Sequence, residues 1–437
     1  MKRLLYILGA IIFLSSCDRS NEVELVIGEP SERISDTLAR VQSTLIGAPN
    51  GWVAYTTTER NGGYGFYFNF QEDNKLQMVA DLTNASATEI KESTYRVRQI
   101  MAATLVFDTY TYLTMLQDPD PGSFGGTAGQ GMGSDVEYEY QRMTSDSMFF
   151  TGRRFKKELV LVKATSAQQQ SYMGGEYLSA INKFREFFAN TPNPYIPLDG
   201  LRYALTSNHN NKAISITALN NGDVLQSVEK FYYTLQGAAP THTLVSGDLR
   251  VKNLFFQGND LYATLYTGEN IKVESSSTPI LPLHLTMGIG YVGIRSPWLT
   301  YFQGTSPKGL DILKRYHDGI VTYATGYVLN YGYLDISWNV NNRRITIAGY
   351  SSNDGGVNNF WATNVVYDYE LDNETGVYTL TFRSGPSGGY TARVLDQLMT
   401  FLNSSRIRLD YYVSGGDLYG QIIGVDDTDV VMTFQLR

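Results

Sequence analysis

The sequence predicts a mainly β (α+β) protein, made of antiparallel sheet domains of barrel or sandwich type, each with an associated helix. Three observations predict it. Four Trp, 32 Tyr and 20 Phe stand beside 41 Gly in 437 residues, a composition suited to aromatic sheet faces joined by tight turns. Short runs with period-two alternation recur at spacings of about ten residues between Gly, Asn and Asp turns. Amphipathic helical stripes are few, and they separate blocks of strands.

The elements follow in order. Ser31 is a suitable N-cap with Glu32 in the first turn, and Ile34, Leu38, Val41 and Leu45 share one helical face. Gly47 and Pro49 stop that helix, Asn50-Gly51 turns the chain, and Trp52 opens a strand. Tyr64 to Phe70 and Leu76 to Ala80 form a hairpin around Glu72-Asp73-Asn74. Val136, Tyr138 and Tyr140 alternate with Asp135, Glu137 and Glu139, the period of a half-buried strand. Ser147–Thr151 and Leu159–Val162 make the next hairpin. A second helix, Glu176 to Ala189, carries the stripe Tyr177, Ile181, Phe184 and Phe188. Strands resume at 202–205, 213–218, 231–235, 249–256 and 261–265. Ser306-Pro307 starts a short helix with Leu310 and Leu313 inward, and His317-Asp318 reads as a turn. Leu334, Ile336, Trp338 and Val340 then alternate with Asp335, Ser337 and Asn339. A last helix spans Thr391 to Leu402, and strands at 407–413 and 429–436 finish the chain.

This pattern divides the chain into a signal peptide (1–16), a lipidated tether (17–30), an N-terminal helix with an antiparallel β domain (31–165), a middle helix-plus-β domain (166–305) and a C-terminal β-rich domain with short helices (306–437). The signal reading rests on Lys2 and Arg3, then an apolar run from Leu4 to Leu14, too short to span a bilayer permanently. Leu14-Ser15-Ser16-Cys17 follows and resembles the lipobox of bacterial lipoproteins. The resemblance implies cleavage before Cys17 and acyl chains on its thiol. Cys17 is the only cysteine, so neither an intrachain disulfide nor a thiolate metal cluster can form. The expected location is the cell envelope, as an outer-membrane lipoprotein facing the periplasm or the cell surface.

Charge excludes one class of partner. The formal net charge of −8 becomes −10 once Lys2 and Arg3 are removed, and such a surface repels phosphate backbones. The group Arg153, Arg154, Lys156 and Lys157 reads as a solvated strand face, so no nucleic acid is expected.

Motifs for chemistry are sparse. Gly385-Pro386-Ser387-Gly388-Gly389 matches the G-x-S-x-G nucleophile elbow, but all four histidines, His209, His242, His284 and His317, precede it. None has a close second ligand, so no metal site is assigned. Asp118-Pro119-Asp120 and Asp426-Asp427-Thr428-Asp429 lack calcium-loop spacing. Gly125 to Gly133 lacks the Lys-Ser/Thr of a phosphate loop and reads as a mobile loop. No catalytic residue and no cofactor is assigned. The aromatics remain: Trp298 with Tyr301, and Trp361 beside Asn358 and Asn359, are the candidate contacts for the apolar faces of sugar rings.

Several landmarks come together as a resemblance. They are the lipobox, the helix ending in Ala48-Pro49-Asn50-Gly51-Trp52, the Tyr64-Gly65-Phe66-Tyr67-Phe68 strand, Gly133 to Tyr140, and Met148-Phe149-Phe150-Thr151-Gly152-Arg153. Together they resemble an uncharacterised lipoprotein family of gut commensal Gram-negative bacteria, a domain of unknown function. The resemblance implies a neighbourhood beside starch-utilisation-type outer-membrane import systems, and it carries no catalytic residues. The function expected is a lipid-anchored binding or accessory protein for glycan or glycopeptide acquisition, with a possible import-complex partner. Three alternatives stand beside it: a glycan hydrolase with a scattered carboxylate pair, an assembly lipoprotein, and a barrel enclosing a small apolar ligand.

The anchor gives the first prediction. Cys17→Ala in the full chain should abolish incorporation of radiolabelled palmitate and move the protein from the membrane to the soluble fraction; labelling that survives the substitution would remove the anchor.

Overall fold

The computed structural model describes residues 30–60, 62–323, 328–386 and 389–437; the signal segment, Cys17 and its tether lie outside them, as does Ser387. The fold is mainly β, with antiparallel sheets throughout. The chain divides into two compact units. One holds the chain up to Glu59, Phe66–Ala80 and Ile90–Gln170; the other holds Arg60–Gly65, Asp81–Glu89 and Ser171–Arg437.

In the first unit, helix α1 (Pro30–Ile46) precedes a closed barrel of eight strands in sequence order. These are β1 (Trp52–Thr57), β2 (Gly63–Phe70), β3 (Lys75–Ala80), β4 (Lys91–Gln99), β5 (Ala103–Phe107), β6 (Glu137–Met143), β7 (Ser147–Gly152) and β8 (Glu158–Lys163). Closure pairs β1 with β8, from Trp52↔Lys163 to Thr56↔Leu159. Side chains fill the interior: Phe66, Phe68, Phe107 and Tyr138 are buried in edge and stacked contacts 5.3–6.2 Å apart. Helix α1 buries Val41 and Leu45, and the Trp52 indole donates to the Leu45 carbonyl at 2.9 Å. Gly51 is required where it stands. Its φ is +71°, and a Cβ there would lie 2.5 Å from the Phe68 carbonyl oxygen.

The acidic positions of the Asp135–Tyr140 run depart from the simple alternation. The strand begins at Glu137, and Asp135 is buried, accepting the backbone N–H groups of Arg154 and Phe155 at 2.6 and 3.1 Å. The Gly125–Gly133 segment is a compact, hydrogen-bonded loop rather than an open one. Thr127 and Gly131 bridge, and Met132 is buried.

The second unit contains two sheets. The first follows helix α2 (Glu176–Asn190) and comprises β9 (Pro194–Leu198), β10 (Leu201–Asn208), β11 (Ala213–Asn220), β12 (Asp223–Thr234), β13 (Gly237–Pro240), β14 (Leu244–Ser246), β15 (Leu249–Gln257), β16 (Asp260–Leu265), β17 (Asn270–Lys272) and β18 (Glu274–Ser275). Its two end strands are consecutive in the chain. Asn270–Lys272 pairs with β16, Glu274–Ser275 pairs with β9, and only Val273 separates them. One short run therefore occupies both edges. Phe184 of α2 packs against Phe231 and Tyr233 at 5.9 Å each, which seats the helix on the sheet.

The second sheet is a closed barrel: β19 (Gly293–Pro297), β20 (Tyr331–Asn339), β21 (Arg344–Ser352), β22 (Trp361–Asp372), β23 (Val377–Ser384), β24 (Ile407–Ser414), β25 (Asp417–Gly424) and β26 (Val431–Leu436). Helix α3 (Pro307–Tyr323) contributes Leu313, Tyr316 and Ile320 to its core, and α4 (Asp396–Ser404) contributes Leu398, Phe401 and Leu402. The expected short helix at Pro307 is thus 17 residues long. His317-Asp318 lies inside it, because Leu313, Tyr316 and Ile320 continue a buried face past the point where Gly319 suggests a stop. The last helix, expected as one piece, breaks into Gly389–Val394 and α4, with Leu395 between them at φ −100° and ψ 0°.

Gly309 sets how closely α3 approaches β26, since a Cβ there would overlap the Val431 carbonyl. Alanine normally improves a helix by about 1 kcal/mol over glycine. Here Gly309→Ala should instead destabilise the fold, by about 1–3 kcal/mol of overpacking, read as a lowered urea midpoint. An unchanged or raised midpoint would contradict the packing described.

Candidate functional site

The site is built on the rim and outer face of the C-terminal barrel. Cross-strand partners point to one face of a sheet. Gly332 pairs with Ser351, and Ser351 with Trp361, so the three form one row across β20, β21 and β22. Trp298, just after β19, meets that row: its ring edge lies 3.3 Å from where a Gly332 Cβ would be. The structure therefore places Trp298 and Trp361 at two ends of one ladder row, 63 positions apart in sequence. Trp298 and Tyr301 are partly buried against the core and turn ring edges toward His317, at 5.9 and 5.8 Å. Trp361 is 38% exposed.

The next positions along β20 and β21 point outward and carry more aromatics. Tyr333 stacks on Tyr350 with centroids 4.6 Å apart, and Phe360 sets its edge against both at 6.3 and 6.4 Å. Tyr331 adds an edge contact to Phe360 at 6.2 Å. Phe360 is 43% exposed, and Val357 beside it 74%. The result is an aromatic shelf open to solvent. Arg295 lies flat over Tyr333 at 3.9 Å and grips Asp335 through two bonds of 2.6 and 2.8 Å. Arg437 approaches the same carboxylate at 3.2 Å.

Asp354 fixes the loop beside the shelf. Its carboxylate accepts the Ser352 hydroxyl at 2.7 Å and the backbone N–H groups of Val357, Asn358 and Asn359 at 2.9–3.1 Å. These bonds, led by that of Ser352, hold its pKa down to about 2. The Asn353, Asn358 and Asn359 amides thus stand on a preset backbone next to stacked rings, the pairing of flat apolar faces and hydrogen-bonding groups that saccharides require.

Other candidates are engaged elsewhere. Asp118 accepts the Asp120 backbone N–H, and Asp120 caps Gly122. Asp426 pairs with Arg406, and Asp427 with Lys308. Among the described residues there is no group of three or more His, Cys, Asp or Glu side chains placed to hold a metal. Tyr331, Tyr333, Tyr350, Phe360 and Arg295 join the site through strand register and carry no motif of their own. Outward alternation of Tyr331, Tyr333 and Asp335 was the signal available for the first two.

The family model of DUF4302, a domain of unknown function, matches residues 28–257, more than half of the chain. The chain belongs to this family. The DUF4302 match takes in α1, the N-terminal barrel and the middle sheet through β15, and the aromatic shelf lies beyond it. No curated protein matches the chain. Solved structures that match include the vaccine antigen transferrin-binding protein B of Haemophilus parasuis Hp5, at 9% identity over 88% of this chain and 75% of that one. The TM-score of that pair is 0.13.

His317 reports on the packing under the rim. It is fully buried, takes a 3.0 Å hydrogen bond with the Ser296 hydroxyl through Nε2, and burial pushes its pKa down to about 4. An unfolded histidine protonates near pH 6.5, so the unfolded chain takes up the proton first as pH falls. Stability from this group is therefore complete above about pH 6.5 and is lost progressively down to about pH 4. Between pH 8 and pH 5 the expected loss is roughly 2 kcal/mol. His317→Gln should flatten that part of a stability–pH curve from chemical denaturation; an equal slope in both proteins would contradict the buried neutral ring.

Proposed function

We propose that this chain is a lipid-anchored, non-enzymatic binding or accessory protein of the cell envelope that presents a saccharide-binding shelf for glycan acquisition. The aromatic shelf of Tyr333, Tyr350 and Phe360, beside the Asp354-ordered asparagine loop, carries this reading. The exposed Phe360 ring costs burial that the barrel could otherwise gain, and a ring-faced ligand recovers it. The signal-like N-terminus and Cys17 support attachment to the membrane through acyl chains. The resemblance to the commensal lipoprotein family supports an outer-membrane location, on the periplasmic or the surface side, next to an import complex. The ligand is a glycan or glycopeptide. Trp361 stands on the opposite face of β22 from these rings, in the row that leads to Trp298, and Trp298 and Tyr301 pack beneath the rim.

The chain without its first 21 residues, screened on a broad glycan array with mucin fragments alongside, should bind one glycan class reproducibly. Phe360→Ala and Tyr350→Ala should each weaken that binding roughly tenfold or more, about 1.4 kcal/mol or above, and Trp361→Ala, on the other face of β22, should change it little. Trp298→Ala should chiefly lower thermal stability. Binding that persists after both shelf substitutions would remove the shelf as the site, and silence from a folded protein would leave the assembly role.

A further inference from the structure

Lys212 is the one lysine or arginine buried among the described residues, 5% exposed, and Asp81 beside it is 2% exposed. They stand 131 positions apart within the second unit. The Lys212 ammonium lies 2.5 Å from Asp81 Oδ1 and donates to the Asp81 carbonyl at 2.9 Å. Oδ1 accepts no well-angled hydrogen bond, while Oδ2 accepts the Tyr233 backbone N–H at 2.9 Å. The rings of Tyr64 and Tyr233 flank Nζ at 4.4 and 5.1 Å. Lys212 closes the turn between β10 and β11 from a left-handed backbone, φ +49°. Burial raises the Asp81 carboxyl and lowers the Lys212 amine to about 8, so both partners move toward their neutral forms.

We propose that Lys212 and Asp81 join in an intramolecular isopeptide bond, Lys212 Nζ to Asp81 Cγ. The ammonium passes one proton to the carboxylate, giving a free amine against a neutral carboxylic acid. The amine lone pair attacks Cγ, whose other oxygen is polarised by the Tyr233 N–H. A second proton passes from nitrogen to Oδ1, the Cγ–Oδ1 bond breaks, and one water leaves. Every proton comes from the ammonium, so no oxidant and no co-reactant is consumed. The surrounding tyrosines keep water from the pair, and fixed contact replaces a bimolecular encounter. The link closes a loop of 131 residues in a chain whose single cysteine is assigned to the anchor. It supplies there what a disulfide supplies in other exported proteins.

Peptide mapping of the full-length protein decides the matter. After denaturation and trypsin digestion, residues 76–91 should appear joined to residues 203–230, lighter than the two peptides together by one water. Fragment ions should place the branch at Asp81 and Lys212, and cleavage after Lys212 should be absent. In Asp81→Ala the branched peptide should vanish and cleavage after Lys212 return. Separate peptides of full mass from the wild-type protein, with normal cleavage after Lys212, would overturn the bond and leave an ion pair alone, whether or not the variant folds.

Discussion

A bare strand edge is a liability, and the ways this chain covers its edges set the rest of its architecture. An unpaired strand edge exposes N–H and C=O groups that either bind water or recruit another chain. The N-terminal and C-terminal sheets cover their edges by closing, β1 on β8 and β19 on β26. Closure leaves an interior that must be filled. The large aromatic complement fills it, with Phe66, Phe68, Phe107 and Tyr138 in one barrel and Trp338, Tyr367 and Tyr378 in the other. The helices complete the filling: α1 sits under Trp52, and Tyr316 of α3 donates to the Tyr333 and Tyr350 carbonyls at 3.1 Å each.

The same geometry explains where the aromatic shelf arises. Tyr316 holds the inner side of β20 and β21 at the residues whose outer side chains form the shelf. The rings of Tyr333 and Tyr350 are therefore fixed from behind by a helix and from the side by the Asp354 loop. A platform whose backbone is already held loses little further freedom on binding. Rigid support beneath and polar groups at the margin are what separate this patch from scattered exposed residues such as Met101 or Tyr266.

Much of the fold was legible in the sequence, and the limits have physical causes. The stripe Ile34 to Leu45 and the alternation Leu334 to Val340 are local patterns, and both elements formed where expected. Strand β4, Lys-Glu-Ser-Thr-Tyr-Arg-Val-Arg-Gln, was not read because only Ser93 and Tyr95 are fully buried in it and charged residues hide the period. Barrel closure depends on pairings more than a hundred residues apart, which no window of sequence contains. Trp361 was legible as an aromatic beside asparagines, but the face of β22 it occupies was not. The shelf was not, because which of so many Tyr and Phe rings face outward is set by register. The Asp81–Lys212 pair was invisible for the same reason: neither residue carries a local sign of burial.

The middle sheet solves its edge problem with less redundancy than the N-terminal barrel does. Its run from Asn270 to Ser275 serves β16 with one half and β9 with the other. The N-terminal barrel's seam is a ladder of five paired positions, so losing one leaves the others. Here one insertion near Val273 would shift both halves out of register together and free two edges at once. The middle of the chain is thus where a small length change would turn a folded sheet into material for strand exchange, and natural length variation is best accommodated in loops elsewhere.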